Sequence, residues 1–334
     1  MTIKVGINGF GRTGRALYRA ILERHLYMEV VAINDLDDSE SLTRLLRADS
    51  VHGPYRAPLR LEGDQLVTEH QHTRLLREHD SAQLPWKELG VQVVADCTGT
   101  VSTRSDAAGH LEAGAERVVV SAPCEDADAT FVIGVNEDRF DPIAHHVVSN
   151  GSCTTNCVAL LAKVLDESFG IDSALMTTVH AYTSDQALLD RLHDDPRRGR
   201  AAALNIVPTT TRAAETTGRV LPSLAGRMDG AALRVPVADG SIVDLVALVD
   251  SAVSPETVNE AFRAAAEGRL GHVLGFTDEP LVSSDILGDP ASCVFDASLT
   301  LVQGRLVKVF GWYDNEWGYS NRLAELCALL ASRG

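Results

Sequence analysis

The sequence predicts an α/β protein: a doubly wound parallel sheet, followed by an α+β part with a mainly antiparallel sheet. Three observations predict it. The first third alternates short β-branched runs with helical patterns. A G-x-G-x-x-G string stands where the first run gives way to the first helix. After Asn150 the apolar runs lengthen and alternate, as half-buried antiparallel strands do. With 334 residues, the chain has room for roughly two domains of ~150 residues each. The expected division is 1–150, then 151–316, with 317–334 as a closing helix that returns to the first domain.

Each element follows from its residues. Ile3–Asn8 is a strand, and Gly14–Arg24 a helix with Ala16, Leu17, Ala20 and Ile21 on one face. Val30–Asn34 is the next strand. Further runs at Val91–Cys97, Val118–Ser121 and Val147–Ser149 each end in small or polar residues. Ligands of such sheets sit at these carboxyl ends. Cys153–Phe169 reads as a helix, and Leu175–His180, Leu233–Val237 and Ile242–Asp250 as strands. Ser254-Pro255-Glu256 is a helix start, with Ser as N-cap and Pro at the first helical position. Leu306–Tyr313 is a strand and Trp317–Ser332 an amphipathic helix. No internal repeat or low-complexity tract interrupts the pattern.

Composition narrows the function classes. Hydrophobic residues make up 45% and charged ones 23%, which excludes a disordered chain. The net charge of −16 argues against a basic face for nucleic acid or an anionic membrane. Anionic ligands must therefore be held locally by small groups of arginines. No apolar run approaches the ~20 residues of a membrane span. The N-terminal residues read as a strand entering a turn, without the apolar core of a signal peptide. Six cysteines, spread widely along the chain, do not form a small disulfide scaffold. These observations point to a cytoplasmic protein with free thiols.

Gly9-Phe10-Gly11-Arg12-Thr13-Gly14 follows a strand and opens a helix, and Asp35 stands 21 residues beyond the last glycine. That is the context of a Rossmann-type dinucleotide site. Glycines let the backbone approach a pyrophosphate, and the helix N-terminus supplies N–H groups and positive dipole. Asp35 at the end of the second strand accepts hydrogen bonds from a ribose diol and repels a 2′-phosphate, which favours NAD over NADP.

Cys153 lies at a strand-to-helix turn, where the helix dipole stabilises a thiolate nucleophile. Cys157, one turn further in, reads as a small buried hydrophobe. The two do not make a metal pair, because no second pair with zinc-ligand spacing exists; no metal is expected. His180 ends a strand, but 27 residues of separation do not establish its proximity to Cys153. Arg197, Arg198, Arg200, Arg212 and Arg234, interleaved with Thr209–Thr211, suggest phosphate-type ligands.

Together these residues resemble the phosphorylating glyceraldehyde-3-phosphate dehydrogenase family over essentially the whole chain. The carrying segments are Ile7–Arg12, Asp49–Gly53, Ser149–Cys157, Thr177–Gln186, Arg197–Thr211 and Trp312–Asn321. The strings Ser-Cys-Thr-Thr-Asn-Cys and Trp-Tyr-Asp-Asn-Glu-Trp-Gly-Tyr are highly specific. The resemblance implies that NAD is the cofactor, and that Cys153 attacks an aldehyde, His180 moves the proton, and inorganic phosphate cleaves the resulting thioester. It implies that Asn315 holds the nicotinamide carboxamide and Tyr319 packs near that ring. Arg12 and its neighbouring amides cradle the pyrophosphate, and Ser121 joins the cofactor-binding set. Thr183 and Arg234 hold the phosphate of the phosphorylated aldehyde. Ser152, Thr154, Arg198, Thr211 and Arg212 line the site of the attacking phosphate. A homotetramer is implied too, with the loop around 182–204 lying along a neighbouring subunit.

Several positions depart from the family pattern. Arg212 stands where Gly is usual, and Glu215 where Lys is common. An arginine there either adds a cation or fills the site and excludes phosphate. Ser184 replaces Asn, Arg191-Leu192 replaces Leu-Pro, Val237–Gly240 replaces Thr-Pro-Asn-Val, and His79 replaces an arginine. Arg191 offers a contact for a 2′-phosphate. The alternative reading is thus a specialised relative acting on another phosphorylated aldehyde, such as erythrose 4-phosphate, or one with altered inhibitor sensitivity. A third reading, a protein that binds NAD without catalysis, is opposed by the intact set Cys153, His180 and Asn315.

Overall fold

A computed structural model describes residues 2–25 and 27–332. Met1, and residues 333 and 334 at the end of the expected closing segment, lie outside the described residues. The chain divides into two units by its internal contacts: Met1–Phe131, Glu137–Gly151 and Ser320–Gly334 form one, and Val132–Asn136 with Ser152–Tyr319 the other.

The first unit is built on a nine-stranded sheet. Its strands are β1 (Ile3–Asn8), β2 (Met28–Asn34), β5 (Leu59–Glu62), β6 (Gln65–Thr68), β7 (His72–Leu76), β8 (Val93–Asp96), β9 (Arg117–Val120), β10 (Ala129–Thr130) and β11 (Val147–Ser149). The short pair β3 (Ala48–Asp49) and β4 (Gly53–Pro54) stands apart from it. The spatial order is β10-β11-β9-β8-β1-β2-β7-β6-β5. Every pairing from β10 across to β7 is parallel, while β5, β6 and β7 form an antiparallel meander. The chain builds outward from β1 on one side, then returns to place β8 on the other. The sheet is therefore doubly wound, with its switch point between β1 and β8. Helix α1 (Arg12–Arg24) buries Ala16, Leu17, Ala20 and Ile21, the face its sequence periodicity marks. It starts two residues before the expected Gly14. Helices α2 (Ser39–Arg47), α3 (Trp86–Leu89) and α4 (Arg104–Glu112) complete this part. Trp86 is wholly buried among Val31, Ala32, Val91, Val94 and Ala115.

The second unit carries an eight-stranded sheet ordered β13-β14-β12-β15-β19-β17-β16, with β18 paired to β19. The strands are β12 (Ile171–Ala181), β13 (Val207–Thr209), β14 (Met228–Val235), β15 (Ser241–Val249), β16 (Leu274–Thr277), β17 (Cys293–Asp296), β18 (Leu301–Gln303) and β19 (Leu306–Tyr313). Most pairings are antiparallel, and β15 alternates buried and half-buried residues along its whole length. Two are not: β12 pairs in parallel with β14, and β16 with β17. The parallel β12–β14 pair departs from the antiparallel character expected for the Leu233–Val237 strand. The long excursion between the two strands, not a tight turn, lets them run in the same direction.

Helix α5 (Cys153–Phe169) packs on this sheet with Thr154 through Leu165 buried. Its bounds match the expected ones. Helix α7 (Pro255–Glu267) starts as its sequence predicts, with Ser254 accepting the amide of Thr257 and Pro255 following at once. Helix α6 (Ala213–Val220) is the second unit's other long turn of helix, and α8 (Trp317–Ser332) closes the chain. No helix is long and apolar enough to cross a membrane among the described residues.

Candidate active site

The first unit places the glycine turn and Asp35 at the carboxyl ends of β1 and β2. Gly9 adopts φ +89°, and a Cβ there would strike the backbone of Thr98. A Cβ on Gly14 would overlap the carbonyl oxygen of Gly9. Gly11 is different: nothing lies within 4 Å of the space its Cβ would fill. Two glycines thus close the turn, and the middle one leaves room for a ligand to meet the backbone. Helix α1 begins at Arg12 with no side-chain cap and no acid in its first turn, so its positive end faces that space. These features fit the pyrophosphate of a dinucleotide.

Asp35 stands where the sequence places it, half-buried just beyond β2. Its Oδ2 accepts the amide of Phe10 at 2.6 Å, and its Oδ1 that of Asp37 at 3.1 Å. The carboxylate is tied to the glycine turn before any ligand arrives. The Phe10 ring is fully buried against Tyr18, so its backbone is the part offered to a ligand. Arg12 reaches Asp49 at 2.6 Å, with 30% of its side chain still exposed. Thr13 is half-buried in the first turn. Ser121 follows β9, its amide bonded to the Asp96 carbonyl.

The second unit brings Cys153 and His180 together. Ser152 caps α5 by accepting the Thr155 amide, which places Cys153 at the first helical position. His180 is the penultimate residue of β12, and its Nε2 lies 3.3 Å from the Cys153 Sγ. Its Nδ1 lies 2.7 Å from the Ala181 carbonyl and 2.9 Å from Nη1 of Arg234. His180 and Arg234 are direct register partners across the β12–β14 pair, so their side chains share one face of the sheet.

Burial raises the Cys153 thiol above its ordinary value, although the Arg234 charge and the helix-end amide of Thr154 draw it back down. Burial, then the same Arg234 charge, pushes His180 down to about 3. The free protein therefore holds a neutral thiol against a neutral imidazole. Helix-end stabilisation alone would make Cys153 a thiolate, and desolvation outweighs it here.

Around this pair lies a polar cluster suited to an anion. Arg234 donates to Thr183 Oγ1 at 3.4 Å, and Thr183 donates to Asp185. Arg198 reaches the other oxygen of Asp185 at 2.8 Å. Asp185 was not singled out by the sequence, although it stands two residues after Thr183 in a segment that was. It orients both Arg198 and Thr183.

Tyr313 is another residue that sequence reasoning missed. Its buried hydroxyl lies 3.0 Å from Thr154 Oγ1 and 2.8 Å from Thr178 Oγ1, and its ring meets that of His180 edge-on at 5.9 Å. The Thr154 hydroxyl is therefore already engaged on the inner side of α5. Ser241, also missed, donates to Asn315 Oδ1 at 2.6 Å and accepts the Ala181 amide. That fixes Asn315 with its NH2 group as the remaining donor. Tyr319 is largely buried in the first turn of α8. Thr211 accepts the Ala213 amide at the start of α6, with exposed Arg212 at the cap position. Glu215 is paired with Arg219 one turn along, at 2.8 Å.

Comparison with known proteins adds the following. The family model for the glyceraldehyde 3-phosphate dehydrogenase NAD binding domain matches residues 3–104, and that for the C-terminal domain matches residues 152–315. Glyceraldehyde-3-phosphate dehydrogenase 2 of Streptomyces avermitilis is 52% identical over 334 residues, covering all of both chains. Glyceraldehyde-3-phosphate dehydrogenase of Geobacillus stearothermophilus is 52% identical over 335 residues, again with full coverage. Glyceraldehyde-3-phosphate dehydrogenase 1 of Bacillus subtilis is 51% identical over 335 residues.

Proposed function

The chain belongs to the glyceraldehyde-3-phosphate dehydrogenase family, and from that premise we propose that it oxidises glyceraldehyde 3-phosphate to 1,3-bisphosphoglycerate, with NAD as cofactor and inorganic phosphate as second substrate. The observation that carries the reading is the 3.3 Å approach of Cys153 Sγ to His180 Nε2, with Arg234 and Thr183 beside it, in a chain that matches its relatives from end to end. Their shared name favours this substrate over another phosphorylated aldehyde such as erythrose 4-phosphate.

The roles follow from the geometry. His180, neutral in the free protein, accepts the Cys153 proton as sulfur adds to the aldehyde carbon, giving a hemithioacetal. The imidazolium returns that proton to the former aldehyde oxygen, and the neutral ring then takes the hydroxyl proton back as the C–H bond is broken. NAD, when bound, accepts that hydrogen with its electron pair. What remains is a thioester on Cys153. A phosphate oxygen attacks its carbonyl carbon, the C–S bond breaks, and the acyl phosphate leaves with Cys153 restored. Arg234 and Thr183 hold the aldehyde's own phosphate. Ser152, Thr154, Arg198, Thr211 and Arg212 serve the attacking phosphate, with Thr154 contributing from the helix terminus because Tyr313 occupies its hydroxyl.

On the cofactor side, Gly9, Phe10, Gly11, Thr13 and Gly14 present backbone to the pyrophosphate with Arg12, Asp35 takes the ribose diol, and Ser121 stands near the nucleotide. Asn315 and Tyr319 serve the nicotinamide end. We read residues 1–150 as the NAD-binding domain, 151–316 as the catalytic domain and 317–334 as a helix belonging with the first.

A homotetramer is proposed as the working form. Supporting it are exposed apolar side chains on the 182–206 segment, Leu188 at 81%, Leu192 at 100% and Ile206 at 66%, and Leu175 at 66% on the sheet face. Several large apolar side chains exposed along one segment support an interface there. A cytoplasmic location is proposed from the acidic composition and six cysteines with no disulfide among the described residues. The deciding experiment measures NADH formation from glyceraldehyde 3-phosphate with and without phosphate. Phosphate-dependent turnover supports the reading, and its absence from a protein that binds NAD overturns it.

A further inference from the structure

A chain of buried hydrogen bonds runs across the first unit's sheet in one register row. Asn34, Asn8 and Asp96 are the last residues of β2, β1 and β8, and each is the direct partner of the next. Asn34 Nδ2 donates to Asn8 Oδ1 at 2.8 Å, and Asn8 Nδ2 donates to Asp96 Oδ2 at 2.8 Å. Beyond Asp96, the same Oδ2 lies 3.2 Å from His110 Nε2. Trp86 Nε1 closes the row on His110 Nδ1 at 3.0 Å. Tryptophan only donates, so Nδ1 accepts and the His110 proton sits on Nε2, directed at Asp96. At the other end, Asn34 exchanges hydrogen bonds with the backbone of Glu78.

Asp96 is 1% exposed and His110 wholly buried. Burial alone would raise this carboxyl, yet donation from His110, Thr98 and Asn8 holds it below the usual carboxylate range. Each asparagine stands one residue before a piece of the nucleotide edge: Asn8 before Gly9, Asn34 before Asp35. The row also crosses the switch point between β1 and β8, where Gly9 presses against Thr98. Thr98 is itself tied to Asp96 Oδ1 through its amide and its hydroxyl. None of these side chains was assigned a role by the sequence reading, and none needs to touch a ligand.

We propose that Asp96 is a positioning residue for the dinucleotide: through Asn8 and Asn34 it sets the spacing between the glycine turn that meets the pyrophosphate and the carboxylate of Asp35 that meets the ribose diol. The proposal rests on the nucleotide reading above. A bridging ligand feels this spacing, whereas a ligand that uses one subsite does not. Both oxygens of Asp96 already accept two donors each, so an amide in its place turns one pair of acceptors into a donor facing donors.

The test compares ligands of different reach on the full-length protein. Asp96→Asn is expected to weaken ADP-ribose and NAD at least tenfold and to raise KM for NAD in step. Affinity for adenosine, which lacks a phosphate and so uses the ribose subsite alone, should stay within twofold, as should kcat at saturating NAD and KM for the aldehyde. Should Asp96→Asn fail to fold, His110→Leu removes one donor to Asp96 and fills the space. It is expected to weaken ADP-ribose about threefold to fivefold, and His110→Gln, whose amide both donates and accepts, to restore it to within twofold. Unchanged ADP-ribose affinity in a folded variant overturns the proposal. So does a parallel loss of adenosine and ADP-ribose that tracks melting temperature, and so does equal behaviour of the Leu and Gln variants. Wild-type protein that binds neither NAD nor ADP-ribose would instead overturn the nucleotide reading beneath it.

Discussion

Nη1 of Arg234 lies 2.9 Å from Nδ1 of His180, while Nε2 of the same ring lies 3.3 Å from the Cys153 sulfur. A fixed cation therefore stands at one nitrogen of the base, and the nucleophile at the other. The cation disfavours an imidazolium and draws the thiol down. A phosphate dianion bound at Arg234 would offset that charge and let His180 take a proton more readily. Under the proposed role of Arg234, substrate binding and activation of the base would be coupled.

Arg234→Gln removes the cation from both tasks. KM for glyceraldehyde 3-phosphate is expected to rise tenfold or more, while KM for unphosphorylated glyceraldehyde changes little. Steady-state kinetics with the two aldehydes checks it, and equal effects on both would sink the assignment.

Cys153→Ser is expected to abolish phosphate-dependent NADH formation, a loss of about a thousandfold or more, because a hydroxyl beside a neutral imidazole is a far weaker nucleophile than a thiolate. NAD affinity, read by calorimetry, should stay within twofold. His180→Asn should cost about 10² to 10⁴ in kcat, the usual range for a general base.

His180 also links stability to pH. Its folded value is near 3, against about 6.5 when unfolded. Between those values the unfolded chain binds a proton that the folded chain refuses. The stabilisation is present above about 6.5 and is lost progressively as the pH falls toward 3. Urea unfolding across that range should show a shallower decline for His180→Asn than for wild type. Identical slopes would mean that the ring is charged or solvated in the folded state.

Two glycines of the turn should separate. Gly11→Ala leaves the fold intact, with a melting temperature within about two degrees, yet weakens NAD because the methyl group enters the space a ligand would use. Gly14→Ala drives a methyl into the Gly9 carbonyl and is expected to lose stability first. Differential scanning calorimetry paired with NAD titration distinguishes them.

Tyr313→Phe leaves the hydroxyls of Thr154 and Thr178 without their shared partner. A cost of about 1–3 kcal/mol is expected for such buried groups, measured by denaturant unfolding.

Much of this was legible in the sequence, where local chemistry and local structure coincide. The Ser254–Pro255 start of α7 and the bounds of α5 follow from capping residues and apolar period. Gly9–Gly14 and Asp35 follow from a motif whose spacing is set by one strand–helix–strand unit. Other features needed the third dimension. The parallel partner of β12 lies beyond a long excursion, and period-two alternation does not reveal strand direction. The β5–β7 meander was missed because its strands are short and polar. Asp96 and His110 are separated from Asn8 by 88 and 102 positions, and no spacing rule joins them.

The register of β12 with β14 has a further consequence. His180 and Arg234 owe their proximity to a row of backbone hydrogen bonds, and a slip of one residue would send the arginine to the opposite face. The segment from Tyr182 to Arg227 leaves one rail and braces the other, since Val207 of β13 pairs with Arg234. Its exposed stretch from Leu188 to Leu192 carries neither rail and can change in sequence while the base and its cation stay in place. That surface can thus drift in this fold without the chemistry having to be reinvented.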